Sequence, residues 1–119
     1  MSRRPLAEGD LGRANEPSVL ILTSLALGPK HGYALAKDIE EFAGVTLGPG
    51  TLYGAITRLE QRGFIEPAGD DERRRPYQIT ESGRSALAKA VAQMNLIASV
   101  GIARLGRRYL GPASDPSLA

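Results

Sequence analysis

Apolar residues along this chain fall into four stretches of helical spacing, with a short alternating stretch between the third and the fourth. In residues 18–27, Leu20, Ile21, Leu22, Leu25 and Leu27 are apolar on most sides of a helix, which predicts a central place in the core. Pro17 suits the first turn, where its missing N–H costs nothing, and Gly28-Pro29 stops the helix. Residues 32–42 place Leu35, Ile39 and Phe42 at i, i+4 and i+7, on one face, and Ala43-Gly44 ends them. Residues 49–62 repeat that spacing with Leu52, Ile56 and Leu59, and Gly63 has the character of a C-terminal cap.

Two extended segments follow, over 64–68 and 76–80. Tyr77 and Ile79 alternate with Gln78 as a half-buried strand requires, while Pro67 and Pro76 point to exposed edges. Between them lies a polar hairpin tip. Thr80 is a good N-cap, with Glu81 in the first turn of a last helix that the pattern carries to about residue 110. Along it Leu87, Val91, Met94, Ala98, Ile102, Leu105 and Tyr109 recur at steps of three and four, with Leu96, Ile97 and Val100 beside them. Thirty residues reach roughly 45 Å. The rest of the chain is too small to cover so long an apolar face, which predicts a partner subunit.

The organisation expected is a flexible arm over 1–16, a DNA-binding domain over 17–80, a C-terminal dimerisation helix over 81–110 and a flexible tail over 111–119. The fold class is mainly α with a small β-hairpin: a winged helix-turn-helix followed by one long helix.

Composition narrows the chemistry. With 119 residues there is room for one domain. No cysteine is present, which excludes disulfides, thiolate zinc sites and cysteine nucleophiles. His31 is the single histidine, so a multi-histidine metal site is excluded. Gly48-Pro49-Gly50 lacks the lysine of a phosphate loop, and neither a GxSxG motif nor a convincing carboxylate pair is found. The chain reads as a non-enzyme without cofactor or metal. The net charge of +2, from 15 basic against 13 acidic residues, says less than how the charges are distributed. The uncharged run 17–29 is too short to span a bilayer, and the chain reads as cytoplasmic, with no membrane partner.

A set of short segments then carries a resemblance. They are His31-Gly32-Tyr33-Ala34-Leu35, Gly50-Thr51-Leu52-Tyr53, Arg58-Leu59-Glu60, Gly63-Phe64-Ile65, and Arg75-Pro76-Tyr77-Gln78-Ile79-Thr80 with Gly83. In this order and at this spacing they resemble the PadR family of bacterial transcriptional regulators, over about residues 18–87. The single helix after the wing is similar to the family's compact subgroup, in which it carries dimerisation. The resemblance implies a homodimeric, sequence-specific regulator of double-stranded DNA. It further implies a repressor that occupies an inverted-repeat operator and responds to a small hydrophobic or aromatic effector. Gly54 departs from the family, which has a larger residue or Pro there. Trp is absent, although some members stack flat aromatic ligands on one at the dimer interface.

The candidate DNA contacts are Tyr33, Lys37, Thr51, Tyr53, Arg58, Arg73, Arg74 and Arg75. The third helix fits a major groove, and its early residues face base edges. Thr51 reads either as a DNA contact or as a group serving its helix terminus. Tyr53 reads as a phosphate donor or as a ring packed under the wing. Arg58 either grips DNA or pairs with Glu60 or Glu66. Tyr33 and Lys37 lie where a helix-turn-helix crosses the backbone. Arg73-Arg74-Arg75 reads as a wing contact, against a solvated tip neutralised by Asp70-Asp71-Glu72. The dimerisation set is Leu87, Val91, Met94, Ala98, Ile102 and Leu105. The competing account of the whole is a protein-interaction winged helix without DNA binding.

Replacing Arg73, Arg74 and Arg75 by Ala is expected to flatten the dependence of log affinity for DNA on log salt concentration. An unchanged slope would show that the wing neutralises no phosphate.

Overall fold

The most apolar helix sits at the centre. The computed structural model describes residues 16–69 and 75–106, and its first helix, α1, spans Pro17–Leu25 with Pro17 in the first turn. Ile21, Leu22 and Leu25 are fully buried, and α1 packs against every other helix and against the second strand. Helix α2 is Gly32–Ala43 and helix α3 is Pro49–Gln61. Leu35 and Ile39 of α2, and Leu52, Ala55, Ile56 and Leu59 of α3, close the core around α1. The buried hydroxyl of Ser24 is satisfied by donating to Asp38 of α2 at 2.6 Å, as burial of a polar group requires.

Two expectations fail here. Helix α1 ends at Leu25 rather than residue 27, so Leu27 lies in the turn and is 89% exposed instead of joining the core. Phe42 is about half exposed, at 47%, and Val45 and Leu47 of the following turn pack against the core where α2 runs out. Gly44 ends α2 in the left-handed conformation (φ 68°), donating to the Glu40 carbonyl.

Helix α3 ends in a Schellman arrangement: Gly63, at φ 77°, donates to the Glu60 carbonyl and Phe64 to that of Leu59. Strand β1, Ile65–Pro67, pairs antiparallel with β2, Tyr77–Ile79, in the register Ile65↔Ile79, Glu66↔Gln78, Pro67↔Tyr77. The other edge of β2 is taken by a single residue, Lys30, whose N–H and carbonyl pair with Tyr77 at 3.0 and 2.9 Å. That bridge ties the wing to the start of α2.

The last helix, α4, is Glu81–Leu105. It stops five residues before the expected end, at Gly106 (φ 85°); residues 107–110, with Tyr109, lie outside the described residues, as do the expected arm and tail but for Glu16. Thr80 caps α4, accepting from the Gly83 N–H at 3.0 Å while its hydroxyl donates to the Gly63 carbonyl at 2.6 Å. Gly83 is pressed onto the end of α3: a Cβ there would collide with the Phe64 carbonyl oxygen and sit 2.9 Å from Ile79 Cγ1.

The apolar stripe of α4 divides between two uses. Ala86 is buried, and Leu87, Ala90 and Met94 pack in part against the domain's own core. Val91, Leu96, Ile97, Val100, Ile102 and Leu105 are exposed, Ile97 at 65%, and Ala98 lies among them. By length and composition alone α4 is apolar enough to cross a membrane.

Gly83→Ala is expected to destabilise the protein by about 1–3 kcal/mol, because backbone and not a mobile side chain blocks the added methyl. Urea unfolding measures this; unaltered stability would mean that α4 does not seat on Phe64 as described.

Candidate nucleic-acid interface

The four buried residues of α3 lie on one side of the helix, so a fixed set of residues is turned away from the core. At 100° per residue the opposite line runs through Gly50, Gly54, Thr57 and Gln61. Thr51 and Arg58 flank it on one side and Tyr53 on the other. Gly48 holds the N-cap position and no side chain caps this helix, so the exposed Thr51 hydroxyl is not spent on capping.

Tyr53 joins the two helices of the motif. Gly32, the first residue of α2, is buried, and a Cβ added to it would collide with the Tyr53 hydroxyl and lie 2.9 Å from the ring carbon Cζ. The ring therefore rests on the first turn of α2 while 51% of the residue stays exposed. Beside it on α2, Tyr33 is 80% exposed, and Lys37, one turn on, is exposed too. Of the α3 candidates, Tyr53 is thus the one brought onto α2, next to Tyr33, while Thr51 and Arg58 lie on the other flank of α3.

Arg58 is exposed, and its Nη1 stands 3.5 Å from where a Cβ on Gly54 would be. The guanidinium is folded back along the helix toward its N-terminal half. Glu66, one of its suggested partners, instead accepts from Gln78 across the hairpin at 3.3 Å. Among the described residues no ion pair engages Arg58. Arg75 is exposed at the foot of β2, whereas Arg73 and Arg74, with the acidic run before them, lie outside the described residues. Among the described residues no cluster of His, Asp and Glu could hold a metal ion.

Three residues of this region were not legible as site residues. Lys30 carries no local signal of its bridge to Tyr77. Gly32 reads as a helix-start residue, and its contact with Tyr53 is a tertiary fact. Thr57 could be placed off the buried stripe from spacing alone, but its hydroxyl proves to be committed to the Tyr53 carbonyl at 2.9 Å.

The model of the transcriptional regulator PadR-like family matches residues 21–89. The chain is 43% identical over 82 residues, 69% of its length, to a 37.1 kDa protein of a transposon in Streptomyces fradiae. It is 41% identical over 64 residues, 52% of its length, to YwhA, described as an HTH-type transcriptional regulator of Bacillus subtilis. These matches span 24% and 45% of the two relatives, so the chain accounts for less than half of either. Among solved structures, a PadR family transcription regulator from Clostridium difficile superposes with a TM-score of 0.68 at 27% identity, over 77% of this chain and 100% of that one.

Gly32→Ala is expected to push the Tyr53 ring aside and weaken DNA binding as much as Tyr53→Ala does, with thermal unfolding nearly unchanged because the ring edge is free to swing. Thr51→Ala and Tyr53→Phe, each losing one hydroxyl, are expected to lower affinity roughly 2- to 10-fold without unfolding the protein. Fluorescence-anisotropy titrations that give all four variants the wild-type affinity would remove these residues from the interface.

Proposed function

Since the chain belongs to the PadR-like family of transcriptional regulators, we propose that it works in the cytoplasm as a homodimeric repressor that binds an inverted-repeat operator. The observation that carries this reading is α3: one face is wholly used by the core, and the other presents Thr51, Tyr53, Thr57 and Arg58 to solvent. Such a helix can enter a major groove with no rearrangement of the domain. Tyr33 and Lys37 then lie where phosphates flank the groove, and Arg75 opens the wing that would follow the backbone further.

The dimer follows from α4. Its first half is fastened to its own domain through Gly83, Ala86, Leu87, Ala90 and Met94. Beyond Met94 the apolar residues have no cover within the described chain. A second copy supplies one, with Val91, Ala98, Ile102 and Leu105 at the contact and Leu96, Ile97 and Val100 beside them. Leu87 and Met94 contribute only the part of their surface that their own domain leaves open. Residues 95–105 would reach only ~16 Å as a helix, about half a bilayer core, which argues against a membrane-spanning use of the free part. Two reading helices would enter successive major grooves about 34 Å apart. Occupying promoter DNA gives repression. A small hydrophobic or aromatic effector acts by binding one dimer geometry more tightly than another.

The test is to capture fragmented genomic DNA with the purified protein at physiological salt and to sequence what is retained. Recovery of a few fragments sharing an inverted repeat is expected. Uniform or absent enrichment from folded, dimeric protein would sink the repressor reading and leave the protein-interaction account in its place. Ile102→Glu is expected to convert the dimer to monomer in analytical ultracentrifugation and to abolish two-site binding. A variant that still sediments as the wild type would mean that this face of α4 is not the dimer contact.

A further inference from the structure

We propose that Thr57 is a specificity-determining residue that reads the C5-methyl group of a thymine through its own methyl group. The inference rests on the DNA-binding reading above. Thr57 lies on the line of α3 opposite Leu52, Ala55, Ile56 and Leu59, and it is exposed. Its hydroxyl donates to the Tyr53 carbonyl at 2.9 Å. The single proton of that hydroxyl is therefore used inside the helix, and rotation about Cα–Cβ is fixed with it. What remains to a base edge is a methyl group in a set position and an oxygen that can only accept.

The neighbours on the same line sharpen this. Gly50 and Gly54 carry no side chain, and a Cβ at Gly50 would meet nothing within 4 Å. At Gly54 it would meet only Arg58 Nη1, at 3.5 Å. Neither glycine is imposed by packing, yet both let the helix backbone sit close to the groove floor. Gln61, the fourth residue of the line, stands at the far end of the helix, so over its first three-quarters the methyl of Thr57 is the carbon that reaches the bases ahead of the backbone. Thymine presents O4 as an acceptor and C5-methyl as an apolar group. Thr57 has no proton left for O4 and a methyl group fitted to the other. Arg58 and Tyr53, on the two flanks, supply the polar contacts that Thr57 does not.

Deoxyuridine in place of thymidine removes that methyl and nothing else. Operator duplexes recovered by the genomic capture would be synthesised with each thymine of the half-site replaced in turn. Affinities would be measured for the full-length wild type, Thr57→Ser and Thr57→Val, all first shown to be folded and dimeric. One position is expected at which deoxyuridine weakens wild-type binding about fourfold per half-site, the worth of one buried methyl group. Thr57→Ser should bind the thymine duplex weaker by the same factor and be indifferent to deoxyuridine there. Thr57→Val, which keeps the methyl and loses the hydroxyl, should keep the discrimination. Identical deoxyuridine profiles for wild type and Thr57→Ser, or no sensitive position in the half-site, would overturn the assignment while leaving operator binding intact. Failure of the wild type to select any operator would instead overturn the DNA-binding reading, and this inference with it.

Discussion

Besides the carbonyl that accepts from Arg84 within the helix, Thr80 makes three hydrogen bonds on which the placing of the working surfaces depends. Its N–H donates to the Phe64 carbonyl, its hydroxyl donates to the Gly63 carbonyl, and the same oxygen accepts from Gly83. The end of α3, the start of β1, the end of β2 and the first turn of α4 are joined at one point. Gly83 brings the helix so near to Phe64 that no larger residue fits. A cap of this kind contributes about 1 kcal/mol. Its geometric consequence is greater: although β1 and β2 lie between them in the chain, the end of α3 and the start of α4 are held at one common point. In a dimer built on α4, the separation of two copies of α3 is thereby a property of the fold.

The division of labour among the helices follows from where the apolar surface is spent. Helix α1 is consumed by the core, with Ile21, Leu22 and Leu25 fully enclosed, so it offers little surface of its own. Helices α2 and α3 each give one face to α1 and keep the other free. The two helices touch where Tyr53 lies on Gly32. Lys30, bridged to Tyr77, ties the start of α2 to the wing, so helix-turn-helix and hairpin are presented as one surface. Among the described helices, α4 is the one left with a long run of uncovered apolar residues.

Much of this was legible in the chain. The spacing of Leu52, Ile56 and Leu59 placed α3, Gly63 and Gly44 marked helix ends, and Thr80 marked the start of α4. Each of these signals is local: a side-chain period, a residue that tolerates positive φ, a hydroxyl three residues from an N–H. The readings that failed reached further. Leu27 fitted the apolar pattern of α1, but the chain leaves the helix at Leu25 and carries the side chain into solvent. The stripe from Leu87 to Leu105 looked continuous, yet its first half packs on its own domain and its second half does not.

The sequence by itself determined the order of elements, the buried face of α3 and of most of α2, and the family resemblance, because periodicity and capping act within a few residues. It also placed Tyr33, Lys37, Thr51, Tyr53 and Arg58 off the buried stripes. The tertiary structure alone decided that Tyr53 lies on Gly32, that Lys30 extends the wing, that Gly83 seats on Phe64 and that the cover of α4 stops near Met94. These contacts join residues far apart in the chain, such as Gly32 with Tyr53 and Lys30 with Tyr77. Their distances are set by how helices already formed pack around α1, and no local pattern encodes that packing.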